Sequence, residues 1–162
     1  FVYTPLKRKG PIAVFVGAIP GAFPPMIGWV AATNQFGLEP GILFAIQFFW
    51  QFPHFWAIAW VLNEDYKKAG FNLLPSKVGK DRRSAVQMMI YTLFLLPVGW
   101  LPYELGITGI NSALIAMLFG VLFLGQTFHL MRKCSDKTAL QLMFGSFIYL
   151  PIVQIAYLLD KI

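Results

Sequence analysis

Five stretches of the chain, at about 12–32, 40–62, 84–102, 110–131 and 138–159, contain no Asp, Glu, Lys or Arg. Each is close to the roughly 20 apolar residues that carry an α-helix across a bilayer. In hydrocarbon every backbone N–H and C=O must find its partner inside the protein, which leaves helices or closed barrels as the only spanning structures. The alternation of apolar and polar residues that a barrel strand needs is missing. The sequence therefore predicts an all-α fold, a polytopic transmembrane helical bundle with about five spans. Composition agrees: 57% of the 162 residues are hydrophobic and only 12% charged, about half the charge of a soluble domain.

The charges mark out two sides. Twelve of the 13 Lys and Arg lie before span one (Lys7, Arg8, Lys9), between spans two and three (Lys67, Lys68, Lys77, Lys80, Arg82, Arg83), or between spans four and five (Arg132, Lys133, Lys137). The opposite loops, around Glu39 and Glu104, carry none, and only Lys161 falls on that far side. Five spans make this alternation self-consistent, and the positive-inside rule then puts the basic loops in the cytoplasm. The net charge of +6 is thus a topological signal. It argues against a nucleic-acid partner, because the basic residues sit in short gaps between apolar spans. The lipid bilayer is the partner it implies, with the protein integral to that membrane.

A single cysteine, Cys134, can form no internal disulfide and fits no metal-ligand spacing. No signal-peptide pattern opens the chain. It begins at Phe1-Val2-Tyr3-Thr4-Pro5 rather than Met, which reads as a fragment of a longer protein. The longest gap, about 63–83, holds three of the seven acids: Glu64, Asp65 and Asp81. A connector of that length and charge exceeds what joining two helices requires.

Span two carries the most chemistry. At about 100° per residue from Gln47, Gln51 falls near +40°, His54 near −20° and Asp65 near 0°, while Phe48, Phe49, Phe52, Phe55, Trp56 and Trp60 fall between about 80° and 220°. A narrow polar stripe thus opposes a broad aromatic face. His54 lies roughly 16 Å of helix rise from Asp65, near mid-membrane if Asp65 marks the water boundary. Ionisable groups at that depth usually face a cavity or a partner. Gln47, Gln51 and His54 therefore either wall a pocket or make interhelical hydrogen bonds. The adjacent carboxylates Glu64 and Asp65 suit Mg²⁺, a hard cation that binds oxygen and keeps several waters, and basic neighbours suit a polyanion such as diphosphate. An ordinary solvated acidic turn has the same sequence. Pro20, Pro24 and Pro25 with Gly17, Gly21 and Gly28 suggest a broken helix lining a pocket, against a tolerated kink. His129, at the basic end of span four, either meets an anionic group or simply sits at the interface.

Several strings go further. Tyr3-Thr-Pro-Leu-Lys7-Arg8-Lys9, Val16-Gly-Ala-Ile-Pro-Gly-Ala-Phe-Pro-Pro-Met-Ile-Gly-Trp29, Trp50-Gln-Phe-Pro-His-Phe55, Glu64-Asp-Tyr66 and Leu74-Pro75 resemble the heme O synthases, a branch of the UbiA-type intramembrane prenyltransferases. The resemblance covers essentially the whole chain. It implies a nine-helix fold around a cavity open to lipid, of which these would be the last five helices, so that 1–162 would be the C-terminal part of one membrane domain. It implies transfer of farnesyl from farnesyl diphosphate to a vinyl group of heme B with addition of water. It also implies Mg²⁺ on the diphosphate, and a downstream heme A synthase or cytochrome oxidase assembly as partners. Carried over residue by residue, Asp65 and then Glu64 would contact the metal, and Lys7 would pair with diphosphate. Tyr3, Arg8, His54, Gln51 and Tyr66 would contact substrates, His54 touching the heme. The wider superfamily's Asp-x-x-x-Asp pattern is broken here, since position 69 is Ala and position 61 is Val. The first Asp-rich motif would lie upstream of Phe1, so this chain alone is expected to be catalytically incomplete.

Three other readings remain at this point. A prenyltransferase with an aromatic acceptor such as 4-hydroxybenzoate keeps the acids and changes the pocket. A transporter or channel would use span one and His54 as a permeation path. In a structural membrane subunit the polar stripe would be dispensable.

Overall fold

The computed structural model describes residues 12–76 and 78–162. The chain folds into helices α1 (Ile12–Thr33), α2 (Leu38–Val61), the short α3 (Asn63–Lys68), α4 (Arg82–Glu104), α5 (Ile110–Lys133) and α6 (Asp136–Leu159). Five of these, all but α3, are long and apolar enough to cross a membrane. Their ends fall within about two residues of the charge-free stretches, because the same charges that cannot enter hydrocarbon end the spans.

Helix α2 is the organising element. It packs against α1, α4 and α6, while α5 closes the far side by packing on α4 and α6. Its apolar core includes Trp60, Phe52, Ile46 and Trp56 from α2, Met88 and Leu95 from α4, Phe123 and Leu130 from α5, and Leu142, Tyr149 and Val153 from α6. The outward faces are equally greasy: Leu118, Val121 and Leu122 on α5 and Phe144, Ile148 and Ile155 on α6 are all exposed. In water such a surface would aggregate; in lipid it is the expected exterior.

Local chemistry fixes the connections. Asp81 N-caps α4, its carboxylate accepting from Ser84 N at 2.9 Å and from Ser76 Oγ at 2.7 Å. Partial burial works against its ionisation, but the Ser84 N–H, the Ser76 hydroxyl and the Arg83 charge prevail and hold the carboxyl below its usual range. Cys134 turns the chain at the end of α5 in the left-handed region, φ 46°, and Ser135 caps α6 through Thr138 N. Lys80 on the α3–α4 connection reaches the Asp136 carboxylate at 2.8 Å, so these two connections share one end of the bundle. At the other end Asp160, just after α6, accepts from Ser112 N in the first turn of α5 at 2.7 Å. Thr108 and Lys161 form an antiparallel bridge there.

Two expectations change. Helix α1 is continuous through Pro20, Pro24 and Pro25, so it is not a broken helix. Helix α2 packs along it, and Gln51 Nε2 ties the two helices together by donating to Ala18 O at 3.1 Å. Helix α2 does not run through to Asp65. It ends at Val61, Leu62 turns at φ −93°, ψ 17°, and the acids ride on the separate six-residue α3. The helical phase drawn from Gln47 therefore holds as far as Val61 and no further.

Candidate active site

Glu64 and Asp65 open α3 at the same end of the bundle as the basic connections. Both are largely exposed, with side chains 70% and 74% accessible, and each has a lysine 3.6 Å away, Lys67 and Lys68 respectively. Glu64 also accepts from Asn63 Nδ2 at 3.1 Å. Asp65 and Tyr66 line a depression of about 310 Å³ with Leu62, Ala69 and Phe71. The structure thus brings Asp65 and Tyr66 together, with Glu64 beside them. Asp81, the third acid of this connection, is occupied as a cap.

Among the described residues no three His, Cys, Asp or Glu side chains gather into a metal cage. Two exposed neighbouring carboxylates still fit Mg²⁺ in its common role, where one or two carboxylates and several waters complete the shell around phosphate oxygens. The residues fit a metal that arrives with its phosphate ligand.

The polar stripe lies deeper. Roughly 10 Å of helix rise separates His54 from the end of α2. His54 and Gln51 are 6% and 2% exposed, and every member of the stripe is tied to a neighbouring helix. Gln51 Nε2 donates to Ala18 O on α1 and, at 3.2 Å, to Gln47 O. Gln154 Nε2 on α6 reaches Gln47 Oε1 at 3.4 Å. His54 Nδ1 lies 2.7 Å from Ser146 Oγ on α6, and Trp50 Nε1 donates to Ser146 O at 2.8 Å. The stripe is therefore an interhelical network, and it occupies the side of α2 flanked by α1 and α6. Phe55 and Phe147, exposed at 43% and 51%, stand beside His54, their ring centroids 5.3 and 4.8 Å from the imidazole. Trp50 stacks on it at 4.4 Å.

The broad aromatic face of α2 serves mainly for packing between helices. Phe48, Phe52 and Trp56 pack on Phe15 of α1 and Tyr91 of α4, with Phe52 and Tyr91 rings stacked at 4.2 Å. That face holds the bundle together, and the aromatic rings near the polar stripe are Trp50, Phe55 and Phe147.

Pro25 and Trp29 of α1 line a cavity of about 230 Å³ at the opposite end of the bundle, together with Glu39, Gln154 and Lys161. His129 lines a groove between α5 and α6 with Gln126 and Gln141. Neither belongs to the acid or His54 clusters. Tyr3, Lys7 and Arg8 lie outside the described residues. Ser146 and Gln154, the α6 partners of the stripe, were missed from sequence. Both are polar residues deep inside an apolar span, which is the signal that singles them out.

The UbiA prenyltransferase family model matches residues 1–150. The chain belongs to the UbiA prenyltransferase family. Over all 162 residues it is 66% identical to a protein of Cytophaga hutchinsonii named protoheme IX farnesyltransferase, covering 57% of that protein. It is 52% identical to a protein of the same name from Flavobacterium psychrophilum, with 99% of this chain and 54% of the relative aligned. The chain thus spans little more than half the length of these curated relatives. A solved structure from work on digeranylgeranylglyceryl phosphate synthase in membranes superposes with a TM-score of 0.81 at 23% identity, over 93% of this chain and 52% of the other. That likeness concerns the fold, and it agrees with an all-helical integral membrane protein of the UbiA type.

Proposed function

We propose that this chain is the C-terminal part of a membrane domain that transfers farnesyl from farnesyl diphosphate to a vinyl group of protoheme IX, heme B, with addition of water to give heme O. The observation that carries the reading is the 66% identity across the whole chain to a relative named protoheme IX farnesyltransferase. The arrangement of residues supports it. Asp65, with Glu64, would hold Mg²⁺ and through it the diphosphate; Mg²⁺ supplies charge neutralisation on the leaving group. Lys7 and Arg8 would pair with phosphate oxygens, with Tyr3 nearby. Tyr66 would border the diphosphate from the depression it shares with Asp65. Gln51 and His54 would contact heme between α1 and α6, in a setting where Trp50, Phe55 and Phe147 exclude water and present aromatic faces to an allylic cation. The basic loops would face the cytoplasm of a bacterial inner membrane, so that diphosphate enters from the side where Asp65 lies. A heme A synthase or oxidase assembly protein would take the product.

The test is the full-length protein, purified in lipid nanodiscs and given farnesyl diphosphate, heme B and Mg²⁺. Farnesylated heme is the expected product. An intact, folded protein that makes none, or that prenylates 4-hydroxybenzoate in preference, overturns the reading. Flux of small solutes in liposomes without any requirement for diphosphate would favour a transporter.

A further inference from the structure

A groove of about 580 Å³ lies between α5 and α6, toward the end of the bundle where Cys134 and Ser135 join them. It is separate from the acid and His54 clusters. Helix α6 meets α2 through Ser146 and Gln154, and the groove occupies the other flank of α6. The two helices run antiparallel, so their residues pair in layers. Gln126 and Gly145 mark one layer, because a methyl at Gly145 would overlap the Gln126 carboxamide. Nearer the connection, His129 and Gln141 line the groove. Lys133 and Lys137 come next. Each is four residues from His129 or Gln141 and so lies on the same face of its helix. In the opposite direction Leu122 and Ile148 line the groove and are 57% and 54% exposed. Helix rise puts His129 and Gln141 about 6 Å below the lysines, and Leu122 and Ile148 about 16 Å below them. The wall therefore grades from cationic, through hydrogen-bonding, to apolar. A bilayer grades the same way, through a polar layer roughly 5–8 Å thick into hydrocarbon.

The charge and the polar groups say what fits. Lys133 and Lys137 are exposed at the mouth of the groove, and the acid between them in sequence, Asp136, is held by Lys80 at 2.8 Å. The mouth is thus left positive. Gln126 Oε1 is buried with no hydrogen-bond partner, and hydrocarbon filling the groove would leave it so. An apolar helix laid over Leu122 and Ile148 would cover the lysines without supplying a counter-charge. An amphiphile with an anionic head and apolar tails matches every layer. We propose that this groove binds an anionic phospholipid from the leaflet at the basic end of the bundle. Its phosphate sits between Lys133 and Lys137, its ester carbonyls accept from His129 and Gln141, and its acyl chains run along Leu122, Phe144 and Ile148. The site is independent of the proposed farnesyl transfer.

The experiment is native mass spectrometry of the full-length protein in mild detergent, titrated with phosphatidylglycerol or with phosphatidylcholine of the same chains. One retained phosphatidylglycerol is expected. A basic residue near an anionic lipid is worth about fivefold in affinity, so two lysines should favour phosphatidylglycerol over phosphatidylcholine by about 25-fold. Lys133→Ala with Lys137→Ala should abolish that preference, while Lys161→Ala, at the other end of the bundle, should keep it. Gly125→Leu is the steric test. Gly125 lines the groove, and a Cβ there would meet nothing within 4 Å, so a leucine fills the groove without straining the helix. It should cut phosphatidylglycerol retention at least fivefold with the unfolding midpoint no lower. Equal retention of the two lipids by the unaltered protein overturns the proposal, as does an undiminished preference in the double lysine variant. A dimer that Gly125→Leu abolishes, with no preference for phosphatidylglycerol, overturns it in favour of a second protein chain. Should the double variant fail to fold, Gly125→Leu decides: undiminished retention of phosphatidylglycerol overturns the proposal.

Discussion

Gly21→Ala offers a test of how α1 and the polar stripe are joined. A methyl at Gly21 would overlap the Gln51 carboxamide. The amide ends a flexible side chain, so it swings aside rather than forcing the helices apart. In doing so it gives up its bonds to Ala18 O and Gln47 O. Side-chain hydrogen bonds between membrane helices are worth about 0.6 kcal/mol on average and about 1.7 at most. Leaving a buried amide unpaired adds about 1–3 kcal/mol. Replacing a helical Gly by Ala recovers roughly 0.5–1 kcal/mol. The net expectation is destabilisation by about 1–2 kcal/mol. In a Gln51→Ala background the methyl meets no amide, only the propensity gain remains, and the same substitution becomes mildly stabilising. A double-mutant cycle read by equilibrium unfolding of the full-length protein in mixed micelles should therefore show a coupling of about 2–3 kcal/mol between positions 21 and 51. Equal effects of Gly21→Ala in both backgrounds would refute the packing argument.

Three further outcomes follow from the same structure. Asp65→Asn removes one charge-assisted contact, worth about 1.5–3 kcal/mol, and should lower kcat/KM for farnesyl diphosphate about 10- to 100-fold; steady-state kinetics with unchanged diphosphate dependence would free Asp65 of its role. The bond from Ser112 N, aided by Asn111, holds the Asp160 carboxyl below its usual range. Its contribution is present above the ordinary carboxylate pKa and lost as pH falls through the depressed folded value. The unfolding midpoint should therefore drop on acidification in the unaltered protein, and the Asp160→Asn variant should lack that component. Lys80→Ala breaks the ion pair that ties the α3–α4 connection to α6; Asp136 is mostly exposed, so the loss should be at most about 1 kcal/mol and should vanish in high salt.

Which parts of this molecule can be read from its sequence follows from the forces involved. The five spans are legible because charge is excluded from hydrocarbon and nothing competes with that rule. The break at Leu62 is not, since Val61-Leu62-Asn63 contains no Gly or Pro and a local turn of the backbone leaves no compositional trace. The continuity of α1 through three prolines is hidden for a related reason, because whether a proline breaks a membrane helix depends on what packs beside it. In the candidate site, periodicity correctly groups Gln47, Gln51 and His54 on one side of α2, yet it cannot name what they face. The partner of His54 lies 92 residues along the chain, and only tertiary packing connects them. Aromatic residues at helical spacing mark a face without revealing its use; here the face packs on α1 and α4, while Phe147 from α6 joins the imidazole.

Everything functional depends on α2 and α3 presenting Asp65 to the cytoplasmic water while His54 stays enclosed. The direct measurement is cysteine labelling of the full-length protein, with Asp65→Cys or His54→Cys in a Cys134→Ser background, using a membrane-impermeant maleimide on whole spheroplasts and on inverted vesicles. The account predicts that position 65 reacts only in inverted vesicles and that farnesyl diphosphate with Mg²⁺ slows its labelling, while position 54 reacts from neither side. Labelling of position 65 from outside the cell would contradict it.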